Sequence, residues 1–150
     1  MVRWLRSFRL SRPLPLTMTD EIRRRRVLVA DDEPHIGRII KMKLEHGPFD
    51  VTLVFDGREA VDAIDREEPF DLVLLDLMMP ELSGLDVLEQ VRGNRSKTLP
   101  MVILTAAGQD EQQRAAMDLG ATAFLTKPFS PKKLYALVAE LTGVPLDDGA

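Results

Sequence analysis

The feature of this sequence that most constrains its fold is a fivefold alternation of short apolar runs with longer segments of helical periodicity. Each run is short and rich in Val, Leu or Ile, as buried strands are. The runs are Val27–Ala30, Val51–Phe55, Leu72–Leu75, Met101–Leu104 and Ala123–Leu125. The segments between them carry apolar residues at helical spacing, for example Ile36, Ile39, Ile40 and Leu44. Five strand–helix units in succession predict a parallel sheet with helices on both faces.

The distribution of charge argues against a nucleic-acid-binding surface. The 150-residue chain has a net charge of −4 and no cysteine, and its length suits one domain. Residues 1–26 hold eight arginines and two acidic residues, so the rest of the chain carries −10. An acidic domain is a poor match for DNA or RNA and a better match for a protein partner. The absence of cysteine is consistent with the cytoplasm, where we expect the protein to act.

The two ends of the chain differ in composition from its centre. We expect residues 1–25 to form a disordered basic tail, or part of it to be an over-extended start with Met18 as the alternative. Arginines alternating with bulky apolar residues there could touch a membrane, but prolines stop a helix early and no stretch is long enough to cross a bilayer. We therefore expect no membrane role for the folded domain, residues 26–143, and a short C-terminal tail, 144–150.

Polar side chains interrupt the apolar pattern where the predicted strands end. Asp31 and Asp32 close the first strand, Asp76 the third, Thr105 the fourth and Lys127 the fifth. Right-handed crossovers bring the carboxyl ends of parallel strands to one edge, where such folds bind ligands. Crowded carboxylates require a cation or protonation, and carboxylate oxygens suit Mg²⁺. A carboxylate beside a metal and a lysine can attack phosphorus and carry an acyl phosphate.

Any one of these aspartates could be a solvated loop residue. A chemically matched set at four strand ends favours a functional site over that explanation. Glu33, directly after the acidic pair, has two open interpretations: it assists the metal through water, or it is a solvated acid.

Four motifs carry a resemblance to a known family. They are VLVADDEP at Val27–Pro34, DLVLLDLMMPELSG at Asp71–Gly84, VILTA at Val102–Ala106 and FLTKPF at Phe124–Phe129. In motif order and spacing, the chain from Arg26 to about Gly143 resembles the receiver domains of two-component response regulators. The resemblance implies an α/β fold, a doubly wound, flavodoxin-like sheet of five parallel strands in the order 2-1-3-4-5.

The same resemblance implies how the acidic residues are used. It assigns Asp76 as the phosphoacceptor and Asp31 and Asp32 as the acidic pair that binds Mg²⁺. The backbone carbonyl of Met78 is expected to be a further ligand of the metal. The metal would then lie between the acidic pair and the residue that receives the phosphoryl group.

The resemblance also implies a conformational switch. Lys127 would contact the phosphoryl group, and its peptide bond to Pro128 is expected to be cis. Thr105 would move toward the phosphoryl oxygens, and Phe124 would rotate inward behind it. The fourth helix, fifth strand and fifth helix form the expected output face, with the protein a monomer or a phosphorylation-dependent dimer.

The expected partners follow from this chemistry. The phosphodonor would be a phosphohistidine on a sensor histidine kinase or a histidine phosphotransfer protein, and a downstream protein would read the output face. No direct contact with nucleic acid is expected, and the sequence leaves a phosphorelay intermediate and a terminal regulator equally open.

Three other functions compete with this one. Phosphatases and phosphotransferases with an aspartyl nucleophile usually need a second carboxylate two residues later, where this chain has Met78. We therefore expect no turnover of an external substrate. A DNA-binding regulator would need an output domain, which we do not expect after Gly143. The remaining alternative is a receiver-like docking module that works without phosphorylation.

Overall fold

Strands and helices alternate along the part of the chain that the computed structural model describes, residues 23–66 and 69–146. The strands are β1 (Arg25–Ala30), β2 (Phe49–Val54), β3 (Leu72–Asp76), β4 (Met101–Ala106) and β5 (Ala123–Lys127). The helices are α1 (Pro34–Glu45), α2 (Gly57–Arg66), α3 (Gly84–Asn94), α4 (Asp110–Asp118) and α5 (Pro131–Thr142). All paired strands are parallel, in the order β2-β1-β3-β4-β5. The predicted doubly wound, flavodoxin-like sheet is confirmed.

The sheet separates two hydrophobic layers, and the central strands contribute to both. Val73 and Leu75 of β3 lie in the layer formed with α2, α3 and α4. Leu72 and Leu74 of the same strand lie in the layer formed with α1 and α5. Because both faces of β3 are covered, its sequence is a continuous apolar run without the polar alternation of a half-exposed strand.

The outer strands are less buried than the sequence analysis expected. In β5 the side chains of Phe124 and Thr126 are exposed, while those of Ala123 and Leu125 pack toward the α1–α5 layer. The second strand ends at Val54, so Phe55 of the predicted run lies outside it and is 41% exposed. Successive side chains of a strand point to opposite faces of the sheet, so one face of β5 is covered by the α1–α5 layer while the other is open to solvent.

Helix α1 contacts the sheet through a narrower face than its apolar pattern indicated. Ile40 and Leu44 are fully buried, whereas Ile39 is 46% exposed. Gly37 lies on the buried face, where an added Cβ would meet the Leu53 side chain at 3.4 Å. Successive helical residues are about 100° apart, so a contact face centred near Ile40 turns Ile39 toward solvent. Ile39 therefore lies on the solvent side of α1, although its spacing matches that of the buried apolar residues.

The described body extends slightly beyond the predicted domain limits at both ends. Arg25 is buried at the start of β1, and its Nε donates to the carbonyl oxygen of Thr142 at 3.2 Å. Val144 is also buried. The predictions for residues 1–22 and 147–150 lie outside the described residues. Among the helices that are described, none combines the length and the apolar character needed to span a bilayer.

Candidate functional site

Three aspartates meet at the carboxyl edge of the sheet. Asp31 and Asp32 directly follow β1, and Asp76 is the last residue of β3. These strands are neighbours, with Ala30 beside Leu75 in register, so the residues that follow them are also adjacent. One carboxylate oxygen from each aspartate lies within 4.8 Å of the other two. Asp31 and Asp76 are buried, and Asp32 is exposed.

Lys127, the last residue of β5, extends its ammonium group into this acidic cluster. Its Nζ lies 2.9 Å from Asp31 Oδ2, 3.2 Å from Asp76 Oδ2 and 3.0 Å from Glu33 Oε1. The Lys127–Pro128 peptide bond is cis, which confirms that prediction. One cation therefore bridges carboxylates from the loop after β1 and from the end of β3.

Two separate turns of the same type orient the two buried aspartates. The Glu33 backbone N–H donates to Asp31 Oδ1 at 2.9 Å, and the Met78 backbone N–H donates to Asp76 Oδ1 at 3.2 Å. In each turn an aspartate oxygen accepts from the amide two residues further along the chain. The second oxygen, Oδ2, is left to face Lys127. Main-chain amides thus set the direction of both carboxylates.

Burial and mutual repulsion shift the acid–base properties of the site. Burial raises the pKa of Asp76 to about 6, and the charge of Asp31 adds to the rise against the opposing effect of Lys127. Burial disfavours the charged form of Lys127, but its contacts with Asp31 and Glu33 outweigh this effect and raise the pKa of the ammonium. The hydrogen bond from Lys127 lowers the pKa of Glu33. The site therefore favours a protonated lysine among carboxylates.

The arrangement of oxygens suits a hard divalent cation. Asp31 Oδ2 is buried, and its partner among the described groups is the Lys127 ammonium at 2.9 Å. Buried carboxylate oxygens normally have such partners or coordinate a metal. Together with the neighbouring oxygens of Asp32 and Asp76, it provides three ligands of the type that Mg²⁺ prefers. The predicted role of the Met78 carbonyl stays a prediction.

Thr105 and Phe124 lie on the adjacent strands β4 and β5. Thr105 is buried, and its hydroxyl forms a long hydrogen bond of 3.5 Å with the hydroxyl of Thr126. Thr105 therefore faces β5 and does not bond to Asp76 in this structure. Phe124 is 41% exposed, so its ring is on the surface. Their predicted movement stays a prediction.

The first residue of α3 packs directly against the backbone of Asp76. The Gly84 N–H donates to the Leu77 carbonyl oxygen at 2.8 Å. A Cβ at position 84 would lie 2.4 Å from the Asp76 carbonyl oxygen. Ser83 caps the helix, with its side chain accepting from the Asp86 N–H at 3.2 Å. The start of α3 is therefore held beside the end of β3, and only glycine fits at position 84.

Replacing Gly84 with alanine is expected to lower the free energy of unfolding by about 1–3 kcal/mol, because the added methyl overlaps main-chain atoms. Denaturation in urea measures this change. Gly93→Ala, in the same helix, is the matched control, since its Cβ would have nothing within 4 Å. There alanine is expected to raise stability by about 0.5–1 kcal/mol. Equal effects at both positions would contradict the close approach at Gly84.

Two contacts near the cluster were not assigned by sequence reasoning. The function of Glu33 was left open, and the structure places it in contact with Lys127. Gln109 carries no such assignment from the sequence, although its side-chain oxygen accepts a hydrogen bond from the Ala106 N–H at 2.7 Å. The adjacency of Glu33 to the acidic pair was a signal for the first contact. A lone glutamine in a loop gives no comparable signal, since glutamine is common on surfaces.

Comparisons with known proteins agree with this geometry. A family model described as "Response regulator receiver domain" matches residues 27–139. The receiver domain of Francisella response regulator 1452 is 37% identical, with a TM-score of 0.72, over 79% of this chain and 97% of that one. The chemotaxis response regulator CheY4 of Vibrio cholerae is 28% identical, with a TM-score of 0.73, over 79% and 98%. Full-length FixJ from B. japonicum is 29% identical, with a TM-score of 0.72, over 79% and 58%.

Proposed function

The chain belongs to the response regulator receiver family, and from that premise we propose that it is a signalling switch phosphorylated on Asp76. The observation that carries the proposal is the position of the Asp76 carboxylate. Its Oδ2 lies 3.2 Å from Lys127 Nζ, and its carboxylate is within 4.8 Å of oxygens of Asp31 and Asp32. A nucleophile is thereby set beside a fixed cation and an acidic pair at one sheet edge.

The proposed reaction is transfer of a phosphoryl group from a phosphohistidine. An oxygen of Asp76 attacks phosphorus, a new O–P bond forms, and the P–N bond to the imidazole breaks. The leaving nitrogen takes the electron pair of that bond and is protonated from solvent, which regenerates the imidazole of the donor histidine. The donor histidine is on a sensor histidine kinase or a histidine phosphotransfer protein. Lys127 balances charge on the phosphoryl oxygens, and no external substrate is turned over.

We assign Mg²⁺ to the acidic cluster, with Asp31, Asp32, Asp76 and the carbonyl of Met78 as its ligands. When bound, the ion supplies positive charge that offsets both the crowded carboxylates and the oxygens of the transferring group. Support for this assignment comes from the three aspartate oxygens that lie within 4.8 Å of one another, with Asp31 and Asp76 buried. Lys127 stays within reach of Asp76, so its ammonium can pass from carboxylate to phosphoryl oxygens without a large movement.

The proposed output is a change on the face formed by α4, β5 and α5. The Thr105 hydroxyl would leave Thr126 and donate to a phosphoryl oxygen, and Phe124 would turn inward behind it. In support, Thr105 is held by one long hydrogen bond, and the ring of Phe124 is exposed. A downstream protein or a second copy of the chain would bind the rearranged face. We place this exchange in the cytoplasm.

Incubation with acetyl phosphate, followed by intact mass measurement with and without Mg²⁺, tests the proposal. We expect one phosphoryl adduct that requires Mg²⁺ and is absent in Asp76→Asn. Asp118→Asn, an exposed acid on α4, is the matched control and should keep the adduct. An intact fold that binds Mg²⁺ but forms no adduct would reject the proposal in favour of docking without phosphorylation.

A further inference from the structure

The last backbone N–H of β4, that of Ala106, lies next to the site and already donates a hydrogen bond to a side chain. Ala106 is paired in register with Lys127, and it lies two residues beyond Leu104, the partner of Asp76. The nearest sheet bond on the β3 side joins the Leu77 N–H to the Leu104 carbonyl oxygen at 3.2 Å. The Ala106 N–H instead donates to Gln109 Oε1 at 2.7 Å.

Gln109 makes two hydrogen bonds to Ala106 across the loop between β4 and α4, one through its side chain and one through its backbone. Its side chain accepts from the Ala106 N–H, and its own N–H donates to the Ala106 carbonyl oxygen at 3.3 Å. Gln109 is also the N-cap residue of α4, yet its side chain makes no capping bond to the helix. Ser, Thr, Asp and Asn at the N-cap commonly bond to the helix's own first amides, and glutamine is not one of these residues. Here it is turned back toward the strand, so its bonding stabilises this arrangement of the loop.

Two of the donors that follow Leu104 on β4, the Thr105 hydroxyl and the Ala106 N–H, are engaged away from Asp76. The Thr105 hydroxyl bonds to Thr126, and the Ala106 N–H bonds to Gln109. A phosphoryl group on Asp76 would present strong acceptor oxygens at this edge of the sheet, beside Lys127. The Ala106 N–H can turn toward those oxygens only after Gln109 releases it.

We propose that Gln109 is a positioning residue that holds the β4–α4 loop in its unphosphorylated arrangement by competing for the Ala106 N–H. This inference rests on the proposed phosphorylation of Asp76. The bond to Gln109 favours the state that binds the phosphoryl group less well. The apparent affinity for a phosphoryl group or its mimic is reduced by the fraction of molecules in which the loop is released.

Removal of the glutamine oxygen therefore has a defined consequence. Loss of one neutral hydrogen bond from the unphosphorylated state raises the fraction of molecules with a released loop. The increase is about three- to tenfold as long as that fraction is small. Gln109→Ala is expected to bind beryllofluoride, a phosphoryl mimic, more tightly by that factor in the presence of Mg²⁺. Gln109→Met, which keeps the chain length without the amide oxygen, is expected to do the same.

Calorimetric titration of the full chain with beryllofluoride and Mg²⁺ tests the inference. Gln112→Ala, exposed on the same helix, is the matched control and should bind as wild type does. Hydrogen exchange of the Ala106 amide is the second readout, expected to be faster in both Gln109 variants and unchanged in the control. General loosening of α4 would instead speed exchange along the whole helix.

The outcomes separate this inference from the proposed function. Wild-type affinity and unchanged Ala106 exchange in both Gln109 variants would overturn the inference while leaving phosphorylation of Asp76 intact. A wild-type chain that neither binds beryllofluoride nor forms an adduct would overturn both. Tighter binding together with faster exchange confined to the β4–α4 loop would establish Gln109 as the competitor for the amide.

Discussion

Replacing Lys127 with methionine is expected to lower the free energy of unfolding of the metal-free protein by about 3 kcal/mol at neutral pH. The ammonium contacts Asp31, Asp76 and Glu33, and the first two of these are buried. Methionine keeps most of the side-chain volume but leaves the buried carboxylates without their cation. The cost arises from unpaired buried charge, so it should depend on pH and on metal.

Urea denaturation with a chelator, repeated with Mg²⁺, measures the effect of Lys127→Met. The loss should shrink with Mg²⁺, because a bound cation replaces the missing charge. It should also shrink as the pH falls through about 6, where Asp76 becomes protonated. Lys132→Met, an exposed residue in the first turn of α5, is the control. A loss that is the same at every pH and Mg²⁺ concentration would show that packing, not charge, is responsible.

Replacing Asp76 with asparagine is expected to have the opposite effect and to stabilise the metal-free protein by about 2 kcal/mol at neutral pH. Burial raises the pKa of Asp76 from 3.8 to about 6 in the folded state. Between these values the folded state binds a proton that the unfolded state has released. Wild-type stability therefore falls as the pH rises through this window. Asparagine removes the penalty because it does not ionise.

The pH dependence distinguishes this explanation from a general gain in packing. The advantage of Asp76→Asn should be largest at neutral pH and should vanish below about pH 3, where the wild-type carboxyl is protonated in both the folded and the unfolded state. Mg²⁺ should reduce the advantage, since it binds the wild-type site more tightly and stabilises the folded state by mass action. Glu89→Gln, exposed on α3, should show neither trend. A constant difference across the pH range would refute the assignment.

The sequence was sufficient to bring the aspartates, Thr105 and Lys127 to one edge of the sheet. Parallel strands with right-handed crossovers share a carboxyl edge, so strand ends alone locate these residues. The adjacency of Asp31 and Asp76 additionally required β1 and β3 to be neighbours, and that strand order came from the family resemblance. Local pattern and topology together therefore predicted which residues meet.

Contacts that depend on how elements tilt and pack were not predictable in the same way. The exposure of Ile39 follows from the rotation of α1 against the sheet, and its apolar character gave no sign of this. The contact between Glu33 and Lys127 depends on the direction of one side chain in the loop after β1 and of another at the end of β5. The bond from Ala106 to Gln109 depends on the path of one loop. Such details are decided by three-dimensional packing, which periodicity in one dimension does not encode.

The similar turns at Asp31 and Asp76 determine which side chains around this pocket can be replaced during evolution. Each carboxylate is oriented by a main-chain N–H, from Glu33 or Met78, and every residue except proline supplies that donor. The side chains at these two positions are therefore free to change without turning the aspartates away from Lys127. Selection can vary the rim of the pocket while the aspartates keep their orientation.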